Sequence, residues 1–403
     1  METIGKYITG YIKGKIPKNL FDSQQTGLLP YLSPDYLRGK TEPEQYCEYK
    51  DNAILVDNGD VVILWDGSNA GEVLISKRGI LASTMTKIEF DEGCLDKKYF
   101  GYAFQNLEYI LKAKTAGSGI PHADKGIIKR LEFYRPLKNE QIAIANILSK
   151  VDEAIASVKN SIAAAERLKK SLMQNLLTGK MKPDGTFRTP DEFYIDEKFG
   201  KVPVGWEVKK VQNLSIQVTD GEHQTPERSD TGYYLLSARN IKNGYLSLED
   251  VDYIPEKELI RIQKRCNPQA GDILISCSGT IGNVCLVPDG FVGGMVRSAA
   301  LVKLDKSLIE SQFAELQFQS HYMQNQMKVA VASSVQGNIF QGAIRKLRMF
   351  YPYDKQERLA ITERLYQFNR EIVFMQCKIS ALKRLKKSLM QNLLTGKVKL
   401  NIQ

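Results

Sequence analysis

The most regular pattern in the chain is a stripe of apolar positions that runs twice. From Ile144 it continues through Leu148, Val151, Ile155, Val158, Ile162, Ala165, Leu168, Leu172 and Leu176. Ile361, Leu365, Phe368, Ile372, Met375, Ile379, Leu382, Leu385, Leu389 and Leu393 repeat the same steps of three and four. Three successive heptads predict a coiled-coil seam, and the two consecutive steps of three at Leu168 and Leu385 predict local overwinding. Each helix is expected to start near Asn139 or Lys355 and to stop at Thr-Gly, where Gly179 and Gly396 suit a left-handed cap. Some 39 residues at a rise of about 1.5 Å give a helix of about 58 Å. So narrow a stripe on so long a helix needs a partner. The duplicate helix is the obvious one, and an antiparallel pair would place two globular regions at its opposite ends. Two separate amphipathic helices, each on its own domain, or a seam that recruits a helix from another protein, fit the same pattern.

Outside the helices the pattern shortens. Asp272 to Ser276, Ala300 to Leu304, Val61 to Leu64 and Thr86 to Phe90 read as strands punctuated by Gly, Asn, Asp and Pro, with helix around Ser311 to Met327. The globular parts are therefore mixed α/β or α+β modules, and the chain as a whole an α+β protein.

The two stripes belong to a duplication of the whole chain. Arg167 to Lys180 and Arg384 to Lys397 both read RLKKSLMQNLLTGK, 217 positions apart in 403 residues. A period of that length marks two domain-sized copies, not a solenoid. The correspondence continues upstream: Thr26-Gly27 answers Thr231-Gly232, and Gly59-Asp60 answers Gly271-Asp272. Asp66 to Gly71 answers Ser278 to Gly282 with one residue gained or lost, and Gly126 to Leu131 answers Gly342 to Leu347. The expected division is 1–136 and 203–353 as globular domains, 137–180 and 354–397 as helices, and 181–202 as a linker. Met181 to Lys210, with Gly205-Trp206, has no equivalent ahead of Met1, which leaves the first domain starting directly or shortened.

Identity of the fourteen residues exceeds what a packing seam requires, since seams tolerate exchange among Leu, Ile and Val. Lys169, Lys170, Gln174 and Asn175, with Lys386, Lys387, Gln391 and Asn392, would present one polar face to two equivalent partners; recent gene conversion would also leave them identical.

A net charge of +10 and a pI near 9.0 favour an acidic partner, nucleic acid ahead of a membrane surface. No apolar run approaches the roughly 18 to 20 residues of a membrane span and the N-terminus lacks a signal-peptide pattern, so a soluble, cytoplasmic chain is expected. The six scattered cysteines contain no C-x-x-C pair, and buried free thiols are the simple reading. The loops carry the polar groups that position on phosphates and select bases. In the second copy these are Thr219, Asp220, His223, Gln224, Arg239, Asn240, Ser278, Thr280, Asn283, Arg297, Ser298, Ser333, Ser334, Gln336, Asn338 and Gln341. Their counterparts in the first are Thr9, Lys13, Lys15, Tyr36, Arg38, Ser68, Asn69, Ser83 and Thr84. Each residue alone fits a turn as well as a base contact.

Gly205-Trp206 after Pro203, Gly-Asp-Ile-Leu-Ile-Ser at 271 to 276 followed by Ser278-Gly279-Thr280-Ile281-Gly282, and a helix ending Leu-Leu-Thr-Gly in both halves resemble the specificity subunit of type I restriction-modification systems. The resemblance covers nearly the whole chain. It implies a non-catalytic DNA reader with two target-recognition domains in inverted, pseudo-twofold orientation, each reading half of a bipartite sequence. Two long helices would set the unread spacer and dock two methylation subunits, which restriction subunits then join. It further implies no cofactor on this chain, with S-adenosylmethionine, ATP and Mg belonging to the partner subunits.

Enzyme motifs are wanting. Asn267-Pro268-Gln269 and Asp289 to Gly294 lack the context of a methyltransferase, and the second reads better as a hairpin turn. There is no phosphate-binding G-x-x-x-x-G-K-[ST] loop and no convincing nuclease cluster. A DNA-specificity subunit, a DNA-free coiled-coil adaptor whose variable domains bind proteins, and an enzyme with an unrecognised site remain to be separated.

Overall fold

The computed structural model describes residues 1–50, 52–114, 121–197, 199–334 and 337–400. It has an α+β architecture that divides into two units, residues 1–160 with 375–403, and residues 161–374. The division falls inside both long helices, Lys138–Leu176 and Lys355–Leu393, of 39 residues each. Each unit therefore joins one globular domain to the first half of its own helix and the second half of the other copy's helix.

The globular domains share one plan. In the first unit, strands Ile8–Lys13, Met85–Phe90, Val61–Leu64 and Val73–Ile75 lie in that order in an antiparallel sheet. In the second, Ser215–Asp220, Ala299–Leu304, Ile273–Ser276 and Val284–Leu286 take the same order. Both first strands carry a bulge near the start, between Ile8 and Gly10 and between Ser215 and Gln217. A second sheet in each unit contains a parallel pair: Tyr31 and Leu32 beside Ile80 and Leu81, and Tyr234 to Leu236 beside Gly293 to Met295. Gly59 and Gly271, both at φ near +80°, bond through their N–H groups to Ser76 and Val287 and close the same turn ahead of the central strand. The strands are Val, Ile and Leu-rich because the central ones are covered on both faces; Val61 to Ile63 and Ile273 to Ile275 are fully buried.

Asp289-Gly290 is not the tip of a hairpin. Its flanking strands, Val284–Leu286 and Gly293–Met295, belong to different sheets, so the turn carries the chain from one sheet to the other. Cys47, Cys266, Cys277 and Cys285 are buried free thiols, whereas Cys94 is partly buried and Cys377 exposed. Among the described residues no helix is long and apolar enough to cross a membrane.

The ends of the fourteen-residue repeats are plugs. Leu393 and Leu394 complete the core formed by Phe100, Phe104, Ile128, Phe133, Ile144 and Leu148. Their counterparts Leu176 and Leu177 enter the core that contains Trp206, Phe313, Phe318, Ile361 and Leu365. Full burial of such a side chain is worth about 1.5–3 kcal/mol. Gly179 and Gly396 adopt φ of +67° and +73° as expected, and both are also pressed by a domain. A Cβ on Gly179 would come within 2.3 Å of Pro203, and one on Gly396 within 2.8 Å of the Tyr134 ring.

The helical seam differs from expectation at one matched pair. Leu168 and Leu385 are exposed, at 50% and 48%. Lys169 and Lys386 turn inward instead, which restores the four-three alternation and removes the overwinding. The lysine stems bury while the ammonium groups reach polar partners. Lys386 lies 2.7 Å from Asp152 and over the Tyr102 ring, whose hydroxyl donates to Asp152 at 2.7 Å. In the second unit Lys169 acts electrostatically on Glu315, whose carboxylate accepts from the Tyr366 hydroxyl. In each unit, domain helix, own helix and exchanged helix contribute to one polar junction, but the tyrosine sits on the domain in one and on the long helix in the other. Because Leu400 N–H bonds Glu140 while Lys386 meets Asp152, the two helix segments of the first unit run antiparallel.

Candidate nucleic-acid interface

In the second unit, four separated segments converge at one end of the main sheet. Asp220, His223, Cys277, Ser278, Arg297, Ser298, Asn338, Ile339 and Phe340 line a pocket of about 210 Å³. The frame is backbone: Cys277 N–H bonds Ser298 O at 2.8 Å and Ile339 N–H bonds Cys277 O at 3.1 Å. Gly221 N–H bonds Ala299 O, and a Cβ on Gly221 would come within 2.3 Å of Met295 O, so only glycine lets the two backbones cross.

The first unit repeats this frame. Trp65 N–H bonds Thr84 O at 2.7 Å, Ala123 N–H bonds Trp65 O at 2.9 Å, and Gly14 N–H bonds Met85 O at 2.9 Å. A Cβ on Gly14 would lie 2.1 Å from Ala82 O. Matching the frames places Lys13 where the second unit has Asp220, Asp66 where it has Ser278, Ser83 and Thr84 where it has Arg297 and Ser298, and His122 where it has Asn338. The folds coincide and the side chains do not.

Each site holds one acid whose ionised form is favoured by hydrogen-bonded neighbours. Burial pushes the Asp220 carboxyl up, but hydrogen bonds from Arg265 at 2.6 Å and with His223 at 3.0 Å outweigh it and hold it below the usual range. For Asp66 burial is likewise overcome, by Lys13 at 2.9 Å and His122 at 2.6 Å. Burial pushes the Cys277 thiol up to about 12, so it lines the pocket as an inert apolar group. Arg297 is exposed, and among the described residues no side chain pairs with its guanidinium.

The remaining candidates separate by environment. Thr219 is buried and donates to Asp220 O, and Asn240 is buried while capping the Ser237 turn and bonding Ser247 O and Asp250 O. Asn283 bonds Ile241 O, Arg239 pairs with Asp252 at 2.8 Å, and Arg38 spans Asp35 and Glu72. These brace loops. Thr9, Lys15, Ser68, Asn69, Gln224, Thr280 and Ser333 are exposed, and Tyr36, Ser334 and Gln341 partly so. Lys77 lies 4.1 Å from the Tyr36 ring centre. Gln336 lies outside the described residues. Of the helical polar set, Lys170, Gln174, Lys387 and Gln391 are exposed and Asn175 and Asn392 partly so, whereas Lys169 and Lys386 serve the internal junctions. Sequence reading missed Asp66, His122 and Arg265. The first two were findable, since they stand at the positions of Ser278 and Asn338 once the duplication is carried through the loops; nothing marked Arg265.

Residues 6–167 and 203–384 match the type I restriction modification DNA specificity domain, and the chain belongs to that family. It is similar to the type I restriction enzyme MjaVIII specificity subunit of Methanocaldococcus jannaschii, at 29% identity over 98% of this chain and 92% of that protein. It is also similar to the EcoBI specificity subunit of Escherichia coli, at 22% identity over 75% of this chain and 65% of the other. The fold is that of the type I restriction-modification S subunit from M. genitalium, with a TM-score of 0.59 and 17% identity over 98% of this chain and 95% of that one. A chain from a type I restriction-modification structure concerned with complex assembly and conformational transition gives 0.56 at 13% identity, over 98% and 97%. The chain is accordingly a non-catalytic DNA-specificity subunit of a type I restriction-modification complex.

Proposed function

We propose that residues 1–136 and 203–353 are two target-recognition domains that each read one half of a bipartite double-stranded DNA target, and that 137–180 and 354–397 fix the unread spacer. The observation that carries this reading is the pair of matched frames. One fold presents Lys13, Asp66, Ser83, Thr84 and His122, and again Asp220, His223, Ser278, Arg297, Ser298 and Asn338, so two related surfaces with different chemistry would select two different sequences. Tethered weak binders gain affinity only when their spacing fits the ligand. The exposed residues Lys15, Ser68, Asn69, Gln224, Thr280 and Ser333 supply phosphate contacts around these centres, and the buried or ion-paired candidates hold the loops in place. Lys170, Gln174, Asn175 and their duplicates form the equivalent faces for two methylation subunits, to which restriction subunits attach; the complex works in the cytoplasm.

The test is to assemble the chain with its methylation subunit and map the modified bases. A split motif with a constant gap is expected, with DNA affinity that falls steeply with salt. Modification at a single continuous motif, or binding insensitive to salt, would remove the bipartite reading and favour a protein-binding adaptor.

A further inference from the structure

Positions 83 and 297 occupy the same place in the two frames. Each follows the backbone crossing at Gly14 or Gly221 and precedes the residue whose carbonyl accepts from Trp65 or Cys277. Contacts to phosphate carry no sequence information, so two domains of one fold gripping the same backbone would keep the same charge at the same place. Positions that select bases must differ wherever the half-sites differ. Here a serine stands opposite an arginine on coincident backbone. The neighbouring arginines of the second unit are engaged: Arg265 with Asp220, Arg261 with Glu222 and Glu258, Arg239 with Asp252, and Arg345 with Val218 O. The buried acid at the pocket, Asp220, is already matched by Arg265 and His223 and does not claim Arg297. Arg297 is thus left at the pocket rim among Ser278, Ser298 and Asn338, with both faces of its fork unspent.

Building on the bipartite-reader function above, we propose that Arg297 is a base-selecting residue that reads one guanine in the half-site of the second domain, and that the Ser83/Arg297 exchange is a principal source of the difference between the half-sites. A guanidinium donates two parallel hydrogen bonds to O6 and N7 of guanine in the major groove, a pattern that no other base offers. Lysine carries the charge without the planar fork. At the matching position Ser83 is too short to demand guanine.

The experiment selects a fully randomised duplex library with the complex of this chain and its methylation subunit, comparing wild type with Arg297→Ser, Arg297→Lys and Ser83→Arg. Arg297→Ser should lose a guanine preference of roughly 5- to 150-fold at one position of one half-site, and Arg297→Lys, which keeps donors but not the rigid fork, should lose a smaller part of it, with the other half-site and the gap unchanged. Arg297→Lys keeps the positive charge, so its loss of selectivity with retained overall affinity separates base reading from phosphate contact and from misfolding. Ser83→Arg should add a guanine preference in the opposite half-site. The proposal is overturned if the Arg297 variants enrich the wild-type motif with uniformly weaker binding. A wild-type complex that enriches no split motif would instead sink the bipartite reading itself, and this proposal with it.

Discussion

At the scale of single residues, Lys169 and Lys386 are identical in sequence and unlike in surroundings. Asp152, beside Lys386, keeps 40% of its side chain in water. Glu315, which Lys169 compensates, is 4% exposed. Removing the ammonium from the first junction leaves a solvated carboxylate, and an exposed pair of this kind is worth only about 0–1 kcal/mol. Removing it from the second leaves a buried charge. Lys169→Met should therefore destabilise by roughly 1–3 kcal/mol, and Lys386→Met by less; equal losses in denaturant unfolding would count against this account of the junctions. Glu315 gives a pH signature. Burial pushes its carboxyl above the usual range, against the pull of the Tyr366 hydrogen bond and Lys169. The folded state then holds this proton more tightly than the unfolded chain. The contribution is fully present below the ordinary glutamate range and is lost as pH rises through the raised folded value. The melting temperature of wild type relative to Glu315→Gln should fall as pH rises out of the ordinary glutamate range, and a difference that rises or stays flat would show that the carboxyl is not raised.

At the scale of elements, the heptad count located both long helices to within a residue at their starts and two to three at their Thr-Gly stops, because 39 residues of apolar spacing leave little freedom. It failed at Leu168 and Leu385, where the search for apolar residues chose leucine over the lysine beside it. A lysine stem is apolar enough to occupy a seam once its ammonium is met, and the groups that meet it lie far away in sequence. The ion pair of Arg38 was hidden in the same way, since its partner Glu72 stands 34 residues on. Convergence of Asp220, Ser278, Arg297 and Asn338 on one pocket was equally hidden, since sheet order and not sequence distance brings them together. With the lysines in the seam, the four-three alternation is unbroken, which sharpens what an insertion should do. Adding seven residues after Val158 and after Met375 preserves every seam position and should lengthen the gap in the modified motif while both half-sites stay the same. Adding two at each place rotates the downstream leucines by about 200°, out of the seam, and should cost stability and complex formation instead. A heptad insertion that changed the half-sites and left the gap alone would disprove the spacer role.

At the scale of the whole molecule, the duplication has an exchange built into it. The first domain's core is completed by Leu393 and Leu394 of the second copy's helix, and the second domain's by Leu176 and Leu177 of the first. The segment that plugs one domain is identical to the segment that plugs the other, while the surfaces receiving them have drifted, to Tyr134 in one and Trp206 with Pro203 in the other. Docking explains why the leucines, the cap glycine and the seam lysine stay fixed. It does not explain the exposed Lys170 and Gln174, which belong to the face proposed above for equivalent partner subunits. A fragment of residues 1–200 carries the first domain, its own helix and, at 167–180, a copy of the plug that the full chain supplies from 384–397. Two such fragments can complete one another, each inserting its Leu176 and Leu177 where Leu393 and Leu394 normally sit, and an isologous pairing of that kind closes at two. The fragment should run as a dimer in sedimentation. With the methylation subunit it should modify a symmetric motif made of two copies of the half-site read by the first domain. Leu176→Asp with Leu177→Asp should return it to a monomer, because two charges would have to enter an apolar core. A wild-type fragment that stays monomeric at all concentrations would show that Tyr134 and its neighbours accept only the plug in its native chain context, and would confine the exchange to the intact duplicated chain.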